Sequence, residues 1–135
     1  MDIIKGIKGE QKLCVGVSDT AAALGSGLLD VFSTPSALAL IEKTCWMSVA
    51  PFLEDGRGTV GTRVELDHVA TSPVGIDVVC VSELVAVDGR KLVFNAAVYN
   101  GGVGGELVAK AVHERFIVTN SKFQAKADAK LVDKG

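Results

Sequence analysis

One stretch governs what this chain can fold into, the run VFSTPSALALIEKTCWMSVAPFL from Val31 to Leu53. It reads as a short extended entry, a capped start and a largely apolar helix. Thr34 is expected as the N-cap, its hydroxyl accepting from a free backbone N–H of the first turn. Pro35 then takes the first helical position, where a missing N–H costs nothing and the fixed φ already suits a helix. Leu38, Ile41, Cys45 and Val49 recur at helical spacing, and Ala37, Leu40, Trp46 and Phe52 widen the apolar surface beyond one stripe. A helix this apolar belongs in a core rather than on a surface. Glu42 interrupts it, one turn after Leu38 and one turn before Cys45 and Trp46. A carboxylate in that setting has to be paired, hydrogen-bonded or held neutral.

The flanking sequence supplies the rest of the layout. Lys12–Val17 reads as a first strand, stopped by Ser18-Asp-Thr20, and the Ala/Gly/Ser-rich segment Ala21–Leu29 as a loop or short mobile helix. After the turn at Glu54–Gly58 the apolar period changes from helical to two. Thr59–Thr71 places Val60, Thr62, Val64, Leu66 and His68 on one face and Arg63, Glu65 and Asp67 on the other. Ile76–Val87 is a strand apolar on both faces, Asp88-Gly89 a hairpin turn, and Lys91–Tyr99 and Glu106–Val118 two further strands. The stretch 119–135 reads as a polar tail or a short exposed helix. Strands joined by short turns form an antiparallel sheet. One apolar helix against such a sheet must be wrapped by it, and the second apolar face of Ile76–Val87 asks for a second subunit. The expected architecture is α+β, a single domain over residues 1–135 with a long central helix wrapped by five to six antiparallel strands. That is the shape of a hot-dog domain.

Composition narrows the function classes. Hydrophobic residues make up 48% of the 135 and charged residues 22%, which describes an ordered globular chain. A net charge of −2 argues against a nucleic-acid partner, and no run nears the ~18 apolar residues of a membrane span. The start, Met-Asp-Ile-Ile-Lys, lacks a secretory core, so a cytoplasmic protein is expected. Cys14, Cys45 and Cys80 are odd in number and without metal-type spacing, the pattern of reduced thiols.

Particular residues then resemble a known family. Phe32-Ser-Thr34, Glu42, Ala50-Pro-Phe-Leu-Glu-Asp-Gly56, Gly61-Thr62, His68 and Pro73-Val-Gly75 stand in the order and spacing of the fluoroacetyl-CoA thioesterase family of hot-dog proteins. The likeness continues through Val87–Lys91 and His113-Glu-Arg115 to Lys122-Phe-Gln-Ala-Lys126. It implies a homodimeric or larger thioesterase that cleaves an acyl-CoA to the free acid and coenzyme A, with no metal and no cofactor beyond the coenzyme A of the substrate. It also implies active sites at a subunit interface. Thr34, Glu42 and His68 become the catalytic constellation, and Gly61 and Phe32 the substrate-binding positions. Where that family carries lid phenylalanines, Gly25-Ser-Gly-Leu-Leu-Asp30 has no aromatic residue, which implies a broader small or medium acyl group. The alternative is a hot-dog protein that binds acyl-CoA without turnover.

The residue types suit the chemistry. A carboxylate can deprotonate water or attack the thioester directly. An imidazole can orient that carboxylate, polarise the carbonyl or protonate the leaving thiolate. Thr34 lies beside the free N–H groups of a helix start. Eight helical residues at ~1.5 Å each set it about 12 Å along the axis from Glu42, so one straight helix cannot bring the two together. Part of the site is therefore expected from a partner subunit. A glycine inside a strand, Gly61, signals a bulge or a close backbone approach. Arg63, Arg115, Lys122 and Lys126 could meet the coenzyme A phosphates, though for each alone a solvated charge is the better reading.

Overall fold

The computed structural model describes residues 2–132. In chain order the elements are β1 (Lys8–Cys14), a 3-10 turn (Val17–Asp19), α1 (Ala21–Leu24), α2 (Thr34–Val49), a second 3-10 turn (Ala50–Phe52), β2 (Arg57–His68), β3 (Asp77–Asp88), β4 (Lys91–Asn100), β5 (Glu106–Thr119) and α3 (Asn120–Val132). The five strands form one antiparallel sheet in the order β1-β3-β4-β5-β2. The β3–β4 hairpin closes on Gly89, whose φ of +61° is the left-handed geometry that a two-residue turn requires.

The core lies between α2 and one face of the sheet. Ala37, Leu40, Ile41, Cys45 and Val49 pack against Val78, Cys80 and Leu84 of β3, Leu92, Phe94 and Val98 of β4, and Val108 and Ile117 of β5. β1 crosses the helix through Gly9. A Cβ there would stand 2.8 Å from Ser48 Cβ and 2.9 Å from the Thr44 carbonyl, so only glycine permits the approach.

Four details depart from the sequence expectation. The first strand is Lys8–Cys14 rather than Lys12–Val17, because its pairing with β3 ends at Cys14↔Asp77 and Val15 turns down into the core. The N-cap of α2 is Ser33, not Thr34, since the Ser33 Oγ accepts from the Ser36 N–H at 3.1 Å. Thr34 becomes the first helical residue and Pro35 the second. The sheet covers α2 on one side only. Leu38, Glu42 and Trp46, one turn apart on the other side, are not buried, and Trp46 is 44% exposed. Finally, β2 is not regular: its register with β5 shifts between Gly61 and Arg63. Thr62 is the extra residue, so Thr59 and Gly61 join Val64, Leu66 and His68 on the helix-facing side, opposite Ile117, Arg115, His113, Ala111 and Ala109. Val60 and Thr62 leave that face. At the C-terminus the polar segment is helical through Val132.

Candidate active site

The change of cap releases a functional group. With Ser33 satisfying the helix start, the Thr34 hydroxyl is free to turn to β2, where it shares a 2.8 Å hydrogen bond with His68 Nδ1. His68 closes β2 on the inner face, and its ring stands edge-on to Phe32 with centroids 6.4 Å apart and planes at 80°. Phe32 is 1% exposed and is fixed by its own N–H, which donates to the Ser72 carbonyl at 2.9 Å. Phe32, His68 and Val69–Thr71 line a cavity of about 210 Å³. The other ring nitrogen, His68 Nε2, is buried with no hydrogen-bond partner. Burial pushes the His68 pKa below the ordinary imidazole value, which favours the neutral ring.

Glu42 is held at a second place, by residues of β5. Arg115 Nη1 donates to Glu42 Oε2 at 3.2 Å, and the same nitrogen lies 3.0 Å from His113 Nε2. The rest of the guanidinium is committed to Thr59, with Nε donating to the hydroxyl at 2.8 Å and Nη2 to the carbonyl at 2.9 Å. A guanidinium only donates, so His113 Nε2 must accept and the ring proton sits on Nδ1. Nδ1 in turn donates to the Arg63 carbonyl at 2.8 Å. His113 is therefore a neutral strut, and burial holds its pKa down. Burial also draws the Arg115 pKa down while Glu42 draws it up. Expected buried, the Glu42 side chain is 41% exposed in the single chain, with its ion pair on one oxygen.

Gly61 completes this second group. A Cβ built on it would overlap Glu42 Oε2 and stand 3.2 Å from both Arg115 Nη1 and His113 Cε1. The sequence expectation of a bulge or a close approach at Gly61 is met by both. Thr34 and His68 are together, Glu42 and Gly61 are together, and among the described residues no hydrogen bond or ion pair joins the two groups.

Arg115 and His113 lie outside the catalytic positions that the sequence points to, where Arg115 reads as a phosphate contact or a solvated charge. At 6% exposed it faces the helix, away from solvent. Its signal was in the period of β5, which sets His113 and Arg115 on the same parity as the apolar Ala111 and Ile117. Two polar residues on a core face need a polar partner, and Glu42 supplies it. The two buried thiols stay out of this chemistry. Burial pushes Cys45 up to about 12 and Cys80 up to about 11, far from a thiolate at neutral pH.

Residues 15–121 match the family model described as fluoroacetyl-CoA-specific thioesterase, FlK. The chain is 34% identical over 101 residues to the fluoroacetyl-CoA thioesterase of Streptantibioticus cattleyicolor, a match covering 75% of this chain and 70% of that protein. A solved structure of the fluoroacetyl-CoA thioesterase FlK superposes with a TM-score of 0.88 at 29% identity, over 96% of this chain and 98% of that one. A Thermus thermophilus hypothetical protein, a thioesterase superfamily member, has a TM-score of 0.87 at 23% identity over 98% and 96% of the two chains, a likeness of fold.

Proposed function

Because the chain belongs to the fluoroacetyl-CoA-specific thioesterase family and is an acyl-CoA thioester hydrolase, we propose that it releases a small or medium acyl group at a site completed by two subunits. The observation that carries this reading is the separation of Thr34–His68 from Glu42–Gly61 within one chain. In a homodimer built on the free edge of β2, antiparallel pairing of that strand with its own copy sets the His68 end of one protomer beside the Gly61 half of the other. The long unpaired edge of β2 and the uncovered stripe of Leu38, Glu42 and Trp46 on α2 both support such a partner.

The roles follow from the chemistry of each group. Arg115 engages Glu42 Oε2, leaving Oε1 to take a proton from water or to attack the thioester carbon. The Gly61 backbone contacts the acyl group beside it, since no Cβ intervenes. His68, oriented by Thr34, presents its unpartnered Nε2 to the carbonyl or to the departing sulfur. Water adds to the carbonyl carbon, the C–S bond breaks, and the thiolate takes a proton to leave as free coenzyme A. Phe32 backs the His68 ring on the acyl side. No metal or cofactor beyond the substrate's own coenzyme A enters this scheme. Leu28, 93% exposed, and Leu29, 67% exposed, stand in the loop before Phe32, where an aliphatic cover suits a plain acyl chain. Three unpaired cysteines fit a reducing cytoplasm.

Thiol release from acyl-CoAs of rising chain length tests the proposal, with Glu42→Ala and His68→Ala beside the wild type. Turnover of one chain class, lost in both variants, is expected. Binding of acyl-CoA without thiol release by the wild type would replace the enzyme with a binding protein.

A further inference from the structure

The wall of the cavity beside His68 is held from a distance. Past His68 the chain leaves the sheet as residues 69–72, and the N–H groups of Val69 and Ala70 both donate to the Val108 carbonyl, at 2.7 and 3.2 Å. The next two residues turn to Asn100, at the end of β4. Asn100 Nδ2 donates to the Thr71 carbonyl at 3.0 Å and to Glu106 Oε1 at 2.9 Å, and Oδ1 accepts from the Ser72 hydroxyl at 2.6 Å. A carbonyl and a carboxylate only accept, so the amide can face them one way alone.

The anchor is rigid where the segment it holds is irregular. Asn100 is paired on both sides, with Val78 of β3 and Glu106 of β5, and the Gly101 N–H after it donates to the Asp77 carbonyl at 2.8 Å. A loop fastened to a strand inherits the strand's precision. Ser72 is wholly buried and passes the position on: its carbonyl accepts from the Phe32 N–H at 2.9 Å, and Pro73 bridges to Val31. Thr71 and Phe32 are two walls of the same cavity of about 210 Å³, and Asn100 is not among the residues that line it. One side chain outside the cavity therefore sets how two of its walls stand.

We propose that Asn100 is a positioning residue for the acyl pocket, fixing Thr71, Ser72 and through them Phe32 so that the cavity beside His68 takes acyl chains up to a set length. The inference rests on the acyl-CoA thioesterase reading and adds to it the residue that keeps the pocket's size. A rigid apolar pocket separates chains that differ by one methylene by about 10–200-fold. Without the amide, the Thr71 carbonyl and the buried Ser72 hydroxyl lose their partners. The segment then shifts to recover them, and the wall gives way to longer chains.

The test is kcat/KM on straight-chain acyl-CoAs from acetyl to octanoyl, with the full chain as wild type, Asn100→Ala, Asn100→Asp and Asn100→Asp/Glu106→Gln. The readout is the ratio between the preferred acyl group and the next longer one, in which the titration of Glu42 and His68 cancels. Asn100→Ala is expected to lower this ratio about tenfold, through KM for the longer chain. Asn100→Asp sets a carboxylate against two acceptors, Glu106 and the Thr71 carbonyl. Its ratio is expected to be low at pH 8 and to recover at pH 5, where a carboxyl proton, held more tightly beside a like charge, replaces the amide donor. Adding Glu106→Gln supplies a donor to the new carboxylate and restores the ratio at pH 8. An unchanged ratio in Asn100→Ala, a ratio in Asn100→Asp that ignores pH, or kcat lowered equally on every chain length would each overturn the assignment. If Asn100→Ala does not fold, Ser72→Ala decides in its place, since it removes one hydroxyl and leaves the carbonyl that holds Phe32: a lowered ratio supports the assignment and an unchanged one overturns it. A wild type that hydrolyses none of the thioesters defeats the thioesterase reading instead, and calorimetric affinities for the same acyl-CoAs then decide Asn100 by the same ratio.

Discussion

Arg115 Nη1 lies 3.2 Å from Glu42 Oε2, joining the last strand to the central helix across 73 positions of sequence. The guanidinium is fixed on its other side by two hydrogen bonds to Thr59, so the carboxylate inherits the position of β2 and β5. Replacing Arg115 by Gln frees Glu42 to swing into solvent while leaving an amide that still reaches Thr59. We expect kcat/KM to fall by about 10²-fold, the usual consequence of a reacting group misplaced by ~1 Å. Thiol-release kinetics read the loss, and far-ultraviolet circular dichroism checks that the fold persists.

Gly61→Ala probes the same carboxylate from the strand. The new methyl occupies the place of Glu42 Oε2, the end of a flexible side chain, while nearby Arg115 and His113 are held by their own hydrogen bonds. Glu42 therefore moves and the fold stays. Activity should fall at least tenfold with a stability loss of no more than about 1–3 kcal/mol in urea titration. Wild-type turnover in this variant would remove Glu42 from the reaction in its present position.

If two subunits complete each site, two inactive variants must rescue one another. Glu42→Ala and His68→Ala, unfolded together and refolded as an equal mixture, give heterodimers in which one site has both residues and the other has neither. Recovery of about a quarter of wild-type activity is expected from statistical pairing in a two-fold dimer. A mixture as inactive as its parents places the whole site within one chain.

Both histidines carry a pH signature. Burial lowers the pKa of His68 and His113 in the folded chain. Between those lowered values and the ordinary imidazole range the unfolded chain binds more protons than the folded one, so stability rises with pH there. The contribution is complete above the unfolded value of about 6.5 and is lost as pH falls toward the folded values. Urea midpoints should decline from pH 7.5 to pH 5. His113→Gln should flatten that slope by up to about 1.4 kcal/mol per pH unit, the limit for one proton.

Much of the fold could be read from residues because period and turn chemistry agree. The apolar spacing of Ala37, Leu40, Ile41, Cys45 and Val49 marks the buried side of α2, and the switch to period two after Gly58 marks the sheet. Three features are hidden for physical reasons. Ser33 and Thr34 are both competent caps, and the choice between them depends on His68, a partner 34 positions away. The role of Arg115 depends on register between strands and on the side from which α2 approaches, neither of which local pattern encodes. The uncovered stripe of Leu38, Glu42 and Trp46 reads as core in the sequence because apolar spacing cannot tell a sheet's cover from a subunit's.

The bulge at Thr62 has its own consequence. Gly61 and His68 are seven positions apart, and on a regular strand an odd separation sends two residues to opposite faces. The single extra residue is what lets both look toward the helix. The Thr62 hydroxyl donates to the Glu114 carbonyl at 3.2 Å, but what the site depends on is the number of residues between 61 and 68. Deleting one would leave a foldable hydrophobic pattern whose two halves are out of phase. Among diverging copies of this chain, a change of length in β2 would end the chemistry sooner than a change of letters.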